Sequence, residues 1–421
     1  MAVPSTLRRA RLAVMGLFFL TGLALAMWVV NIPAVQESTG VSHAVLGGLL
    51  LLLGLGSVIG MQVTGPLVDR IGSRRSAIIG AVVLAVGVNL PGLAQDAWGV
   101  GAALFVLGLG NGVMDIAMND QAVVVERRWG RPIMSSFHAF FSVGGAVGAV
   151  AGAVAQALGL SIHWSLGFGA VVVIALSLYG VPKLLQDDPT PVLSDAETPA
   201  ATTDPRSVRR RIIALAVLAF LLMLAEGTAN DWSALQAVQD LDVPEAAGSI
   251  AYGAFAVAMT IGRFAADPIA HRLGPVRVVR SGSVVAAAGM AVIVLSPAYP
   301  LTLAGWVVFG LGLSGIVPQL FTAAGNLGVP NQGVVMSRVV GAGYVGLLAG
   351  PAIIGWLSHL TGLTHALVLP LLFCVVGIAL ATQVAPGTGT RTTPGPVRVD
   401  SNGRRPRRTT GDDDVVDRSD R

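Results

Sequence analysis

The 421-residue chain predicts an all-α membrane protein of about twelve transmembrane helices in two pseudo-symmetric six-helix bundles. Three observations predict it. The chain is 53% hydrophobic and only 12% charged, with a mean hydropathy of +0.73, whereas a soluble domain carries about 25% charged residues. Twelve apolar stretches each reach the roughly 20 residues that a bilayer-crossing helix needs. Spans two to five recur in spans eight to eleven at one constant offset. A single soluble core could not hide so much apolar surface, so the lipid bilayer is the natural solvent. The 53 glycines agree, because small residues let membrane helices approach closely.

The first six stretches fall at 12–34, 44–64, 76–95, 99–124, 134–158 and 162–183. The first follows Arg8, Arg9 and Arg11 as in a signal peptide, but no small-residue cleavage site follows it, so it reads as an uncleaved helix. The fourth carries polar residues inside its apolar run. The fifth carries Gly144, Gly145, Gly148 and Gly152, a stripe suited to close helix packing. Residues 186–210, rich in Pro, Asp, Thr and Ala, read as a linker. The second six stretches fall at 212–237, 248–268, 279–297, 300–325, 336–358 and 363–385. The chain therefore divides into a bundle over 1–185, the linker, a bundle over 211–386, and a disordered polar tail over 387–421.

An even number of spans puts both termini on one side. All 27 Lys and Arg fall on that side, among them Arg70, Arg74 and Arg75, Arg127, Arg128 and Arg131, Lys183, and the set Arg263, Arg272, Arg277 and Arg280. The six opposite loops have none. Basic loops stay in the cytoplasm, so the sequence predicts a multi-pass protein of the inner (plasma) membrane with both termini cytoplasmic. The sequence pI of about 9.8 is then a signal of topology and not a nucleic-acid footprint. Cys374 stands alone, so no intramolecular disulfide or cysteine metal site is expected. No zinc-type His/Glu spacing, no Gly-x-Ser-x-Gly and no phosphate loop with Lys occurs. An enzyme, an ATP-driven pump and a bound cofactor or metal are accordingly not expected. Energy would come from an ion gradient, of protons or of Na+.

The halves repeat at an offset of 202 residues. It pairs Gly60 with Gly262, Pro66 with Pro268, Arg70 with Arg272, Gly72 with Gly274 and Arg75 with Arg277. It also pairs Met134 and Ser135 with Met336 and Ser337. Such a repeat implies a pseudo-two-fold axis along the membrane normal and a solute site near mid-depth between the halves. The loop after the second span sets Gly65, Asp69, Arg70, Gly72, Arg74 and Arg75 at fixed spacings, and a degenerate copy runs from Asp267 to Arg277. This pattern resembles the signature loop of the major facilitator superfamily. The resemblance covers roughly residues 12–385 and implies a secondary active transporter working by alternating access, with a monomer as the ordinary state. It also implies that Asp69 braces the halves by meeting the start of span eleven near Ser337 and Arg338. A carboxylate there meets free N–H groups and the positive end of the helix dipole. The run from Asn111 to Asn119, with Glu126, Gly130, Pro132, Ser135, His138 and Ser142, and the run Glu226 to Ser233, resemble a bacterial branch near the fucose–proton symporter group. Two features typical of drug exporters are missing: an arginine within span four and a Gly-Pro in span five.

Ionisable residues inside a span cost roughly 2.5–3.5 kcal/mol near its centre and should face a cavity or a partner. Asn111, Asp115 and Asn119 share one face of span four at i, i+4, i+8. Glu226 and Asn230 share one face of span seven. A carboxyl removed from water holds its proton more readily, so Asp115 and Glu226 are the candidates for proton coupling. They would face each other across the halves. Asn111, Asn119, Asn230, Asn31 and Gln319 are the candidates for contact with a polar, sugar-like solute. The alternative for all of them is interhelical hydrogen bonding without a transport role. Asp120 and Glu126 are expected to pair with Arg127, Arg128 or Arg131, His138 to pack, and Trp28 and Trp232 to anchor at the membrane interface or stack on solute. Rival functions are efflux of an amphipathic compound and a non-transporting sensor or scaffold. The 6% aromatic content leans toward a polar solute.

Overall fold

The computed structural model describes residues 3–186 and 205–386. Most of the expected linker and all of the expected tail lie outside them. Among the described residues, twelve helices are long and apolar enough to cross a membrane: α1 Ser5–Thr39, α2 Val45–Ile71, α3 Ser73–Leu93, α4 Ala97–Trp129, α5 Met134–Ala157, α6 Ile162–Lys183, α7 Pro205–Leu241, α8 Glu245–Leu273, α9 Pro275–Leu295, α10 Tyr299–Gly325, α11 Gln332–Thr361 and α12 Leu363–Val384. α7 starts at Pro205, so residues 205–210 are helix and not linker. Proline suits that place because the first turn has no use for its missing N–H.

Local chemistry sets the ends. Ser42 accepts a hydrogen bond from the Val45 N–H at 3.3 Å ahead of α2, and Asp96 accepts one from the Gly99 N–H at 2.7 Å ahead of α4. Gly72 joins α2 to α3 as a single residue at φ 84° and ψ 158°, and Gly274 joins α8 to α9 at φ 79° and ψ 160°. Only glycine enters that region without strain. The paired pivots express the 202-residue repeat in the backbone. α10 is interrupted at Ser314 and Gly315 and resumes as Ile316–Gly325.

In the first half α4 packs on α2 and α3, and α1 on α5 and α6; in the second, α7 packs on α11, and α10 on α8 and α9. The seams run backbone to backbone where glycine allows. A Cβ at Gly112 would collide with the Ser57 carbonyl oxygen, and one at Gly144 with that of Phe19. Across the halves α2 packs on α11 and α5 on α8, two arrangements exchanged by the pseudo-two-fold. Trp28 is 2% exposed within the α1 core, so it is neither an interfacial anchor nor a stacking platform.

Candidate functional site

The two cross-half seams close at the end that bears the α2–α3 and α8–α9 pivots, here the basic end. Asp69, in the last turn of α2, accepts hydrogen bonds from the Gly333 and Val334 N–H groups at 2.7 and 3.1 Å. These are free N–H groups at the start of α11, one turn earlier than Ser337 and Arg338, because the helix itself starts earlier than its apolar run. Asp267 of α8 accepts from the Ser135 and Ser136 N–H groups of α5 at 2.9 and 2.7 Å. In the repeat Asp267 matches Gly65, so its carboxylate stands one turn deeper than Asp69 and meets its helix correspondingly later. Glu126 does not pair with an arginine as expected. It accepts from the Ile133 and Met134 N–H groups at 2.8 and 2.7 Å, and from the Thr322 hydroxyl at 2.8 Å. The α4–α5 turn brings those orphan N–H groups closer to it than any guanidinium. Arg127 instead crosses to the Asn326 side chain at 3.1 Å and the Gly325 carbonyl at 3.0 Å.

Farther in lies a second layer. Asn111, Asp115 and Asn119 are 2%, 4% and 0% exposed. Asp115 accepts from the Tyr344 hydroxyl of α11 at 3.2 Å, a bond from one half to the other, and its second oxygen is buried without a partner. Asn111 donates to Ser57 at 3.4 Å and Asn119 to the Asp115 carbonyl at 2.9 Å. On α7, Glu226 forms an ion pair with Arg263 of α8 at 3.1 Å. The same guanidinium donates to Ser142 of α5, in the other half, at 2.6 Å. Asp115 and Glu226 make no direct hydrogen bond to each other. Each is tied to the opposite half through an intermediary, Tyr344 for one and Arg263 for the other.

The remaining candidates part ways. Asn230 is exposed on α7 one turn beyond Glu226. Gln319 is 3% exposed in the resumed part of α10, its amide nitrogen buried without a partner. Asn31 is not brought to this layer: it donates to the Met27 carbonyl at 2.7 Å and to Ser165 at 3.0 Å, tying α1 to α6 inside one half. His138 is packed between Phe18 and Phe321, with ring centroids at 5.0 and 5.7 Å. Sequence reasoning missed Tyr344 and Arg263. Arg263 falls inside the eighth apolar stretch and not in a loop, and that position is the available signal. Tyr344 offered none beyond a hydroxyl in an apolar run.

The family model for the Major Facilitator Superfamily matches residues 14–239 and 215–409, one match to each half. The chain belongs to the Major Facilitator Superfamily. As a member of it, the protein is a multi-pass membrane protein and a secondary transporter of a solute, not an enzyme. An MFS-type transporter of Yersinia pestis is 35% identical over 370 residues, which is 87% of this chain and 92% of that protein. Membrane protein MosC of Rhizobium meliloti is 30% identical over 367 residues, 86% of each chain. Among solved structures, the superfamily transporter FucP in the outward conformation superposes with a TM-score of 0.72 at 17% identity, covering 89% of this chain and 98% of its own.

Proposed function

We propose that this superfamily member moves a small, polar, sugar-like solute by proton-coupled symport. Asp115 and Glu226 carry the proton. Asn111, Asn119, Asn230 and Gln319 offer the amide donors and acceptors that a polyol needs; Asn31 serves packing in this reading. One observation carries it. Two carboxylates in the middle of α4 and α7, Asp115 buried and Glu226 largely so, each connect to the opposite half through one polar group, Tyr344 for Asp115 and Arg263 for Glu226. A neutral carboxyl ties its donor more weakly than a carboxylate does, so proton binding alters the contact between the halves. Alternating access requires such a contact. FucP, a fucose:proton symporter, shares the fold; the substrate reading rests on the residues of this chain. The basic end, where all the loop arginines gather, is cytoplasmic in this reading. The protein then lies in the plasma membrane with both termini inside, and works as a monomer.

The test is a thermal-shift screen of the purified protein against sugars, polyols, nucleosides, amino acids and lipophilic cations, beside Asp115→Asn and Glu226→Gln. A ligand at 100 times its Kd stabilises by about 2.7 kcal/mol. The expected result is a hit among sugars or polyols that weakens in both variants, followed by uptake into proteoliposomes driven by an inward proton gradient. Hits confined to lipophilic cations would overturn the polar-solute reading in favour of efflux.

A further inference from the structure

A cavity of about 1130 Å³ opens at the basic end, between the α2–α3 loop and α4 of the first half and the α10–α11 turn of the second. Five guanidinium groups line it, those of Arg70, Arg74, Arg75, Arg127 and Arg128, against the two carboxylates of Asp69 and Asp120. Asp69 is already committed to the Gly333 and Val334 N–H groups. Arg127 reaches Asn326 and the Gly325 carbonyl of the second half, and Arg128 donates to the Gln186 carbonyl at 3.5 Å. Arg70, Arg74 and Arg75 make no hydrogen bond or ion pair among the described residues. Membrane topology does not account for this gathering. At the 202-residue offset Arg74, Arg127 and Arg128 fall on Val276, Val329 and Pro330, so the second half does without them. Ile78, Val123 and Val124 add an apolar wall to the same cavity.

We propose that this cavity binds a phosphate-bearing anion, which holds the basic end shut. A guanidinium is a rigid fork that matches phosphate oxygens and keeps its charge at physiological pH. A cleft lined by one sign of charge concentrates the opposite ion. The volume is that of a large small-molecule pocket and more than bare phosphate fills. The apolar wall gives an organic portion a place to lie. The ligand class is therefore an organic phosphate or diphosphate, presented by a soluble molecule or by a phospholipid headgroup. Its effect follows from where the walls come from. Arg70, Arg74 and Arg75 belong to the first half, whereas Gly325, Pro330 and Gln332 belong to the second. Parting of the halves at the basic end takes the cavity apart and draws Arg127 away from Gly325. An anion that fits only the closed arrangement shifts the population toward it, and closure in turn raises its affinity. The site lies apart from Asp115 and Glu226 and needs neither the solute nor the proton reading.

Inorganic pyrophosphate, added to the purified full-length protein, tests this without any solute. In detergent it should raise the melting temperature by a few degrees where sodium chloride of the same ionic strength does not. Arg75→Gln, at an exposed position, should remove most of that rise. Arg272→Gln, at the exposed counterpart of Arg70 in the other half, should keep it. Met134→Cys reports on closure: the position is 0% exposed at the α5–α8 seam, outside the cavity, and the native Cys374 is buried. In phosphatidylcholine nanodiscs pyrophosphate should slow its reaction with maleimide several-fold. Phosphatidylglycerol that slows the reaction by itself and removes the pyrophosphate effect would mark a lipid headgroup as the source. A pyrophosphate effect that persists unchanged beside phosphatidylglycerol would mark a soluble organic phosphate. No rise in melting temperature, or an equal rise in Arg75→Gln, would overturn the site. So would a rise confined to the double variant Asp187→Asn with Asp188→Asn, because the carboxylates that follow Gln186 in the chain would then be the occupant. A rise in melting temperature without slower labelling would overturn the closing role.

Discussion

Asp267 shows how much rests on single carboxylates. Its two oxygens take two backbone N–H groups of α5, charge-assisted bonds worth about 1.5–3 kcal/mol each. Asp267→Ala should therefore loosen the basic end. A cysteine placed at Met134, which is 0% exposed, should react faster with maleimide in that background; an unchanged rate would show that the bonds do not hold the seam. Tyr344→Phe keeps the ring and removes only the hydroxyl that Asp115 accepts. The lost bond to a carboxylate is worth about 1.5–3 kcal/mol, so proton-driven uptake should fall by about tenfold or more and the melting temperature should drop by a few degrees. Full uptake in this variant would leave the Asp115 tie without a role.

Helix seams depend on which glycines touch backbone. Gly112 of α4 lies against the Ser57 carbonyl and Gly144 of α5 against that of Phe19, so no side chain fits without moving a helix. Gly112→Val and Gly144→Val should each abolish the monodisperse peak in size-exclusion chromatography. Gly47 of α2 has open space where its Cβ would stand. Gly47→Ala should be neutral or stabilise by up to about 1 kcal/mol, the usual helix preference for alanine. The element-level contrast is checkable because both kinds of glycine look alike in the chain. The break in α10 belongs to this scale too: the resumed helix meets the other half through Phe321, against His138, and Thr322, which donates to Glu126.

Residues 3–186 and 205–385 form two similar halves whose described cross-half hydrogen bonds gather toward one end. The orientation of the protein is testable with fusions. A fluorescent protein fused after residue 386 should fluoresce in intact cells, and alkaline phosphatase inserted at Gly40 should be active. The opposite pattern would invert the proposed topology. The same two-half plan gives the pivots Gly72 and Gly274 nearly identical dihedrals and lets Asp69 and Asp267 close opposite seams one turn out of register. A rigid-body rocking of the halves must break those four backbone bonds together with the Arg263–Ser142 contact. The other described hydrogen bonds between the halves, from Gln62, Arg127, Thr322 and Tyr344, would have to part with them.

The chain alone determined the twelve spans, the repeat and the signature loop, because each is a local pattern of apolar length, spacing and charge. It also placed Asn111, Asp115 and Asn119 on one helix face, because helical period is local. Only the tertiary structure decided what each face meets. Arg263 finds Glu226 and Ser142 at separations of 37 and 121 residues, and Tyr344 finds Asp115 at 229. Asn31, flanked on its own helix face by Met27 and Val35, meets Ser165 of its own half instead. A sequence gives the angle of a residue on its helix but not the neighbour across the gap. In a membrane core the partner of a polar group fixes its meaning, since water is absent as a default.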